Sequence, residues 1–378
     1  MIILFILGFI FRLFLAFNAY EPLVFDAKGY SHFAMDFLSG KLAIDCCAVN
    51  VGYGAFLALV YKLFGAENLV AVRLVHIALD LVSAWLIYRI ALRLFHQKAA
   101  KLSFILYLFN PFTAAFTGLV LAETFSILLL MLLLFFVIQK RWFTVGIVAG
   151  LLLFTRHSFS YVLPVLFIIL GWKNIKVLGF LLVGFILASS YSLIVYYKTF
   201  GKIAIVPPYN LKYEIIYLNF YRWKYPEVEF KGEIPEYGQV VQSYWNTPIA
   251  GKAAHSEKYK QLLLRRLPGE WPTFVTNLAW NELWLWDKDH LYTYVDRFYP
   301  SDRWPMRILN IALISLWGIG VIRVIREKRR KVLREPVFLF SMLLFLYIAA
   351  LFPLLSNESR HTLIYYPILS LWAGRGMA

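Results

Sequence analysis

The chain has 378 residues, of which 61% are apolar and only 16% are charged, against roughly 25% charged residues in soluble globular domains. This composition excludes a soluble enzyme, a disordered segment and a secreted domain held together by disulfides. Segments such as 125–138 and 177–194 are apolar around the whole helix circumference, which indicates that lipid surrounds them. We therefore predict a polytopic membrane protein.

A helix that crosses the hydrocarbon core needs about 20 apolar residues. The sequence predicts an all-α protein with about ten transmembrane helices, at 2–18, 69–95, 101–116, 119–138, 142–156, 159–172, 176–197, 306–325, 337–355 and 361–374. The first of them lacks a basic region and a small-residue cleavage site, which favours a membrane anchor over a signal peptide. The expected organisation is an N-terminal membrane module (1–197), an outer loop region between the seventh and eighth spans (198–305) and C-terminal membrane helices (306–378).

The charge of the chain is unevenly distributed, with 38 Lys and Arg against 22 Asp and Glu. If the N-terminus is cytoplasmic, the cytoplasmic ends of the spans hold 16 basic residues and two acidic ones. Basic residues in short loops stay on the cytoplasmic side. The pattern therefore predicts a cytoplasmic N-terminus in the inner or plasma membrane, and it explains the basic excess without a nucleic-acid partner.

Two longer segments, 19–68 and 198–305, fall on the outer side, and we expect any chemistry there. The first is amphipathic and predicts surface helices, while the second is polar and rich in Trp and Tyr, which suits the headgroup level of a membrane. Cys46 and Cys47 are adjacent and predict no disulfide framework, which leaves inert apolar residues or a lipidation site.

Ionisable side chains in or beside apolar spans cost roughly 3 kcal/mol each at a helix centre, so each needs a structural or chemical reason. Arg12 and Asp80 are two such residues within the spans. The predicted topology places a larger set near the outer membrane surface, namely Asp26, Arg73, Glu123, Arg156, His157, Glu358, Arg360 and His361.

Asp26 begins a segment in which Tyr30 and Phe33 share one helical face, whereas Lys28 and His32 share another. This pattern predicts a helix on the membrane surface that starts at Asp26. Two interpretations of the carboxylate are open from the residues alone: it caps the helix, or it acts in catalysis. The arginines likewise either extend to the interface or bind phosphate.

Several short motifs follow one another along the chain, namely FLSGK at 37–41, GYGAFLALVYKLFG at 52–65, VRL at 72–74, NP at 110–111, AET at 122–124, TRHS at 155–158 and ESRHTLIYYPIL at 358–369. Their order and sidedness, with a lone acid after the first span, resemble the GT-C glycosyltransferases, in the branch of the protein O-mannosyltransferases and lipid A aminoarabinose transferases. The chain departs from that pattern at Ala27, where a second acid is usual, at Asn50-Val51 in place of Pro-Pro, and at His361 in place of Tyr.

The resemblance implies a GT-C fold and an enzyme that moves a sugar, with inversion, from a polyprenyl-phosphate carrier to a lipid, glycan or protein acceptor outside the cytoplasm. It implies that Asp26 is the general base and that Glu123 orients substrate, although a buried ion pair explains Glu123 equally well. The expected substrate-binding residues are Arg156, Arg360 and Arg73 for the phosphate, together with Tyr30, His157, Glu358 and His361.

Two other function classes stay open from the sequence: a flippase or transporter of lipid-linked sugars, and an O-antigen-type glycan ligase or polymerase. The absence of a sequence repeat between the two halves weakens the transporter alternative. No cofactor is certain. His361 and Glu358, at i and i+3, could ligate a divalent metal, but no third ligand is identifiable. Asp287, Asp289 and His290 predict a solvated turn.

Overall fold

The computed structural model describes residues 1–18, 23, 25–42, 50–172, 174–207, 212–221, 235–248, 251–291, 303–355 and 359–378, and no β-strand occurs among them. Cys46, Cys47 and Glu358 lie outside the described residues. In chain order the α-helices of the described part are α1 (Ile2–Asn18), α2 (Phe25–Leu38), α3 (Val51–Phe64), α4 (Leu69–Leu94), α5 (Gln97–Leu108), α6 (Pro111–Phe116), α7 (Glu123–Ile138), α8 (Trp142–Thr155), α9 (Val162–Gly171), α10 (Ile175–Phe200), α11 (Tyr213–Tyr217), α12 (Pro235–Asn246), α13 (Lys252–Trp286), α14 (Arg303–Lys328), α15 (Pro336–Leu355) and α16 (Tyr366–Met377).

Four of these helices are long and apolar enough to cross a membrane: α4, α10, α15 and residues 304–328 of α14. Five shorter helices are also apolar, namely α1, α3, α7, α8 and α9. They lie where the sequence predicts spans, except α3, and they support an integral membrane protein. The count of about ten spans, the orientation and the division at residues 197 and 305 stay predictions.

The expected third span, 101–116, is two helices rather than one, because the chain turns between α5 and α6. The Asn110 side chain accepts hydrogen bonds from the backbone N–H groups of Phe112 and Thr113, at 3.0 and 3.2 Å, and so starts a new helix. Pro111 occupies the first turn of α6, where a missing N–H costs nothing. The apolar residues on both sides conceal this break in a hydropathy pattern.

Close packing of the helices depends on glycines at two places, between α14 and α16 and between α8 and α10. A Cβ atom on Gly320 of α14 would overlap the backbone carbonyl oxygen of Trp372 in α16, and one on Gly146 of α8 would overlap that of Leu181 in α10. Small residues let helix backbones touch where lipid supplies no hydrophobic drive for association. This packing holds α16, and the 3₁₀ segment Ser359–Tyr365 that precedes it, against the rest of the bundle.

The first of the segments predicted to lie on the outer side, 19–68, contains the two helices α2 and α3. As predicted, α2 is amphipathic, since Tyr30 and Phe33 are buried while Lys28 and His32 are exposed. The helix α3 has one face, including Tyr53 and Leu57, that is completely buried against the bundle, while Leu59, Leu63 and Phe64 are exposed. Its predicted place on the membrane surface stays a prediction.

The second of the segments predicted to lie on the outer side, 198–305, is anchored to the bundle through α13. Two prolines inside α13 accompany a kink at Glu270, whose φ and ψ of −125° and 20° are not helical. Beyond the kink, the Asn281 side chain donates to the backbone oxygen of Pro353 at 3.0 Å and to the side chain of Asn219 at 2.7 Å. These buried amide contacts fix the end of α13 against α15.

Candidate active site

Asp26 forms an ion pair with Arg360. Its Oδ2 atom accepts a hydrogen bond from Arg360 Nη2 at 2.8 Å, and the two side chains are 40% and 8% exposed, respectively. Asp26 is the second residue of α2 and therefore lies inside the helix rather than at the capping position before it. The carboxylate thus projects from the first turn of α2 toward the 3₁₀ segment 359–365, and part of its surface is still accessible.

A second ion pair joins α7, α8 and the same 3₁₀ segment. Arg156, the residue after α8, donates from Nη1 to Glu123 Oε1 at 3.2 Å and from Nη2 to His361 Nδ1 at 3.0 Å. A guanidinium only donates, so His361 accepts at Nδ1 and carries its proton on Nε2. Glu123 is the first residue of α7, where the helix dipole favours a negative charge.

Tyr30 lies between these two ion pairs. Its hydroxyl accepts a hydrogen bond from Asn50 Nδ2 at 3.1 Å, and its ring packs edge-on against that of Tyr53 with centroids 4.8 Å apart. Burial raises the pKa of Tyr30, and the charges of Asp26 and Glu123 raise it further. The phenol therefore stays protonated and can donate a hydrogen bond to a substrate oxygen.

His157 is buried next to this group and is linked to it through Asn50. Its backbone N–H donates to the Asn50 side chain at 3.4 Å, and its Nε2 atom shares a short hydrogen bond with the Tyr196 hydroxyl. Burial lowers the pKa of His157 to about 3, with a smaller effect from the charge of Lys212. The imidazole is therefore neutral, and these contacts suit a residue that fixes the position of Asn50.

The end of α13 closes another side of the site. Leu285 presents its backbone oxygen to the Thr362 hydroxyl at 3.1 Å. In the following turn, Arg307 binds Asp287 at 2.7 Å and Asp289 at 3.2 Å. The expectation of a solvated turn is wrong here, because both carboxylates are half-buried and paired with Arg307.

Lys288, between those two aspartates, is buried and is not among the site residues predicted from the sequence. The only signal was its place directly after an aromatic-rich helix, and lysines flanked by aspartates are ordinarily solvated. The imidazole of His361 lies within the electrostatic influence of four cationic side chains, those of Arg360, Arg156, Lys288 and Lys212. This accumulation of positive charge at one end of the bundle is what an anionic ligand requires.

Arg73 contacts different parts of the chain. Its Nε atom donates to the backbone oxygen of Gly118 at 3.1 Å, and its guanidinium lies 5.6 Å from the ring centroid of Phe17. These contacts join α4 to α1 and to the turn before α7. They indicate that Arg73 helps to pack these parts of the chain together. Its expected contact with phosphate stays a prediction.

The metal alternative gains no support from the part of the chain that the structure describes. Within that part, no group of three or more His, Cys, Asp and Glu side chains is arranged to hold a metal ion. Glu358, the predicted companion of His361 as a ligand, falls outside it.

Comparison with known proteins bears on the fold and on part of the site. Residues 51–196 match the family model described as dolichyl-phosphate-mannose-protein mannosyltransferase. The expected resemblance to the GT-C glycosyltransferases is confirmed. The matched segment includes Arg73, Glu123, Arg156 and His157, while Asp26, Arg360 and His361 lie outside it.

Among solved structures, the chain is similar to the oligosaccharyltransferase of Archaeoglobus fulgidus, crystallised with a tethered acceptor peptide that contains the NVT sequon. The TM-score is 0.57 at 10% identity, over 100% of this chain and 49% of the archaeal protein. The likeness shows a GT-C fold, and the chain spans about half the length of that structure. No curated protein sequence matches the chain.

Proposed function

We propose that the chain is a GT-C membrane glycosyltransferase that moves a sugar from a polyprenyl-phosphate carrier to a lipid, glycan or protein acceptor outside the cytoplasm. The observation that carries this proposal is the pairing of a part-exposed carboxylate, Asp26, with Arg360 at 2.8 Å, directly beside the cations that surround His361. Transfer from a sugar phosphate requires these two elements side by side: a base for the acceptor and positive charge for the leaving group.

In the proposed reaction, Asp26 accepts the proton of the acceptor hydroxyl as its oxygen attacks the anomeric carbon of the donor sugar. The bond between that carbon and the phosphate oxygen breaks, and the carrier phosphate leaves with the bonding electron pair. Attack opposite the leaving group inverts the anomeric configuration. Arg156 and Arg360 stabilise the charge that grows on the phosphate, since a guanidinium can bind two of its oxygens at once.

Arg360 has a further role in this proposal, because it orients the base. Its hydrogen bond to Oδ2 fixes the Asp26 side chain at the first turn of α2. Since 40% of the side chain is exposed, an acceptor hydroxyl has room to approach the carboxylate. Glu123, which Arg156 holds, and the protonated phenol of Tyr30 are then placed to bind sugar hydroxyls.

The family match supports the choice of donor, because that family is described by its use of dolichyl-phosphate-mannose. The archaeal structure, determined with an acceptor peptide, supports a transferase that acts on a second substrate. The outward orientation rests on the basic residues at the opposite ends of the spans. The identity of the sugar is the first question for experiment.

Membranes that contain the chain, given radiolabelled polyprenyl-phosphate sugars one at a time, test this function directly. We expect one donor to yield a labelled acceptor, and Asp26→Asn to lower the rate by about 10²- to 10⁴-fold, the usual contribution of a general base. Asp36→Asn on the same helix is the matched control, because Asp36 pairs with the exposed residues His32 and Lys41. Full turnover by Asp26→Asn, or equal losses in both variants, would refute the assignment.

A further inference from the structure

Lys288 is held rigidly at the edge of the candidate site. It follows α13 by two residues, and the chain there is pinned by hydrogen bonds from Thr362 to the Leu285 oxygen at 3.1 Å and from Asn310 to the Trp286 oxygen at 2.6 Å. The residue is only 2% exposed, and its Nζ atom has no hydrogen-bond partner. The amine lies 5.5 Å from the ring centroid of Tyr366, a contact that does not replace a hydrogen bond. A buried polar group without a hydrogen-bond partner is costly and needs an explanation.

The carboxylates near Lys288 are already engaged by arginines. Asp287 and Asp289 both pair with Arg307, at 2.7 and 3.2 Å, and Glu123 pairs with Arg156 at 3.2 Å. These three acids influence Lys288 electrostatically but do not hydrogen-bond to its Nζ atom. Burial therefore prevails over their attraction and lowers the pKa of Lys288 well below its ordinary value.

The ionisable side chains around Lys288 are paired with one another. Arg360 pairs with Asp26 and Arg156 with Glu123, while Arg307 pairs with both Asp287 and Asp289. An arriving anion would supply the missing hydrogen-bond partner for Nζ and favour its charged form. A phosphate monoester fits this requirement, because its oxygens accept several charge-assisted hydrogen bonds.

We propose that the ammonium of Lys288 binds the phosphate of the polyprenyl-phosphate donor, beside Arg156 and His361, and holds it as it leaves. This inference rests on the proposed function and adds to it a phosphate ligand from the second outer segment. The end of α13 then becomes part of the donor site, which explains why Thr362 and Asn310 tie it so closely to the C-terminal helices.

Two ligands that differ only in the phosphate separate binding from folding. We expect Lys288→Met in the full chain to weaken the binding of polyprenyl phosphate by about 10- to 100-fold, the usual effect of losing a charged hydrogen bond. The affinity for uncharged polyprenol should not change. Lys260→Met is the control, since Lys260 is an exposed residue of α13 that pairs with Glu257. Unchanged affinity for the phosphate, or equal losses for both ligands, would overturn the inference.

The same titrations distinguish this inference from the proposed function. If the wild-type chain binds no polyprenyl phosphate, the proposed function itself fails. If Arg156→Met loses affinity while Lys288→Met does not, only the role of Lys288 is wrong. Inorganic phosphate separates a lipid headgroup from a free anion: polyprenyl phosphate should bind more tightly, and the opposite order contradicts a lipid donor.

Proton uptake gives a second test that needs no variant. Calorimetry of polyprenyl phosphate binding at alkaline pH, in two buffers of different ionisation heat, should show that the wild-type chain takes up a proton as Lys288 becomes charged. The other titratable groups that face Lys288 are Glu123, Asp287, Asp289, His361 and Tyr366. Carboxyl and imidazole groups ordinarily titrate well below that range, and the buried Tyr366 hydroxyl donates to Asn310, so the uptake belongs to the amine. No uptake would contradict the inference.

Discussion

Two clusters of buried ionisable side chains differ in how completely they are closed. In the first, Arg12 of α1 donates from Nε to Asp80 of α4 at 2.7 Å and from Nη1 to the backbone oxygen of Leu108 at 2.6 Å. The other carboxylate oxygen of Asp80 accepts a short hydrogen bond from the Tyr107 hydroxyl. In the second cluster, the candidate site, Asp26 keeps 40% of its side chain exposed.

The difference separates a structural ion pair from a binding site. The Arg12 cluster contains one cation and one anion, both at most 1% exposed, so its charge is satisfied without a ligand. The candidate site places four basic side chains around His361 and leaves Nζ of Lys288 without a hydrogen bond. Helix packing thus explains the buried charge of the first cluster, and the proposed function explains that of the second by a substrate.

The largest effect on stability should come from breaking the ion pair of the closed cluster, which consists of Arg12, Asp80 and Tyr107. Arg12→Met leaves the Asp80 carboxylate buried without a countercharge, and we expect a loss of about 3–5 kcal/mol of folding free energy. The yield of monodisperse protein and its thermal unfolding in detergent measure this loss. The double variant Arg12→Met, Asp80→Leu should recover most of it, because no charge is then left in the interior. A single variant as stable as the wild type would show that the pair is not needed for packing.

In the open cluster, which is the candidate site around Asp26, Arg156 and His361, a substitution should reduce ligand affinity more than stability. Arg156→Met removes a proposed phosphate ligand, and we expect the affinity for polyprenyl phosphate to fall by about 1.5–3 kcal/mol. Stability should fall less than in Arg12→Met, because Lys288 and the N-terminus of α7 stay near the Glu123 carboxylate. Titration and thermal unfolding of the same sample compare the two effects, with Arg265→Met on the exposed face of α13 as the control. A variant that loses stability but keeps its affinity would place Arg156 with the structural pairs.

The grouping of Asp26 with Arg360, but not their pairing, could be predicted from the sequence. Apolar length located most of the helices, and the basic loops predicted that both residues lie at the same membrane surface. Their contact spans 334 positions along the chain, and no local pattern could show which arginine would meet the acid. The same limit applies to Lys288, whose burial depends on hydrogen bonds made by Thr362 and Asn310 from other helices.

A smaller effect, on the donor KM, is expected at Tyr30, which lies at the edge of the open cluster. Tyr30→Phe removes the hydroxyl that Asn50 binds at 3.1 Å and that is proposed to bind a sugar oxygen. A neutral hydrogen bond contributes about 0.5–1.5 kcal/mol, so we expect the donor KM to rise by about two- to tenfold at an unchanged kcat. Steady-state kinetics with the identified donor measure both constants. A fall in kcat comparable to that of Asp26→Asn would instead make Tyr30 part of the catalytic group.

The smallest effect is expected at Arg73, which tests where the open cluster ends. Its contacts with the Gly118 oxygen and the Phe17 ring are of the packing kind, and an accessible cation–π contact is worth about 0.5–1 kcal/mol. Arg73→Gln should therefore lower thermal stability slightly and change the affinity for polyprenyl phosphate far less than Arg156→Met does. If both variants lose affinity equally, Arg73 binds the phosphate as the resemblance implies. The donor site then extends across α4 and includes one more arginine.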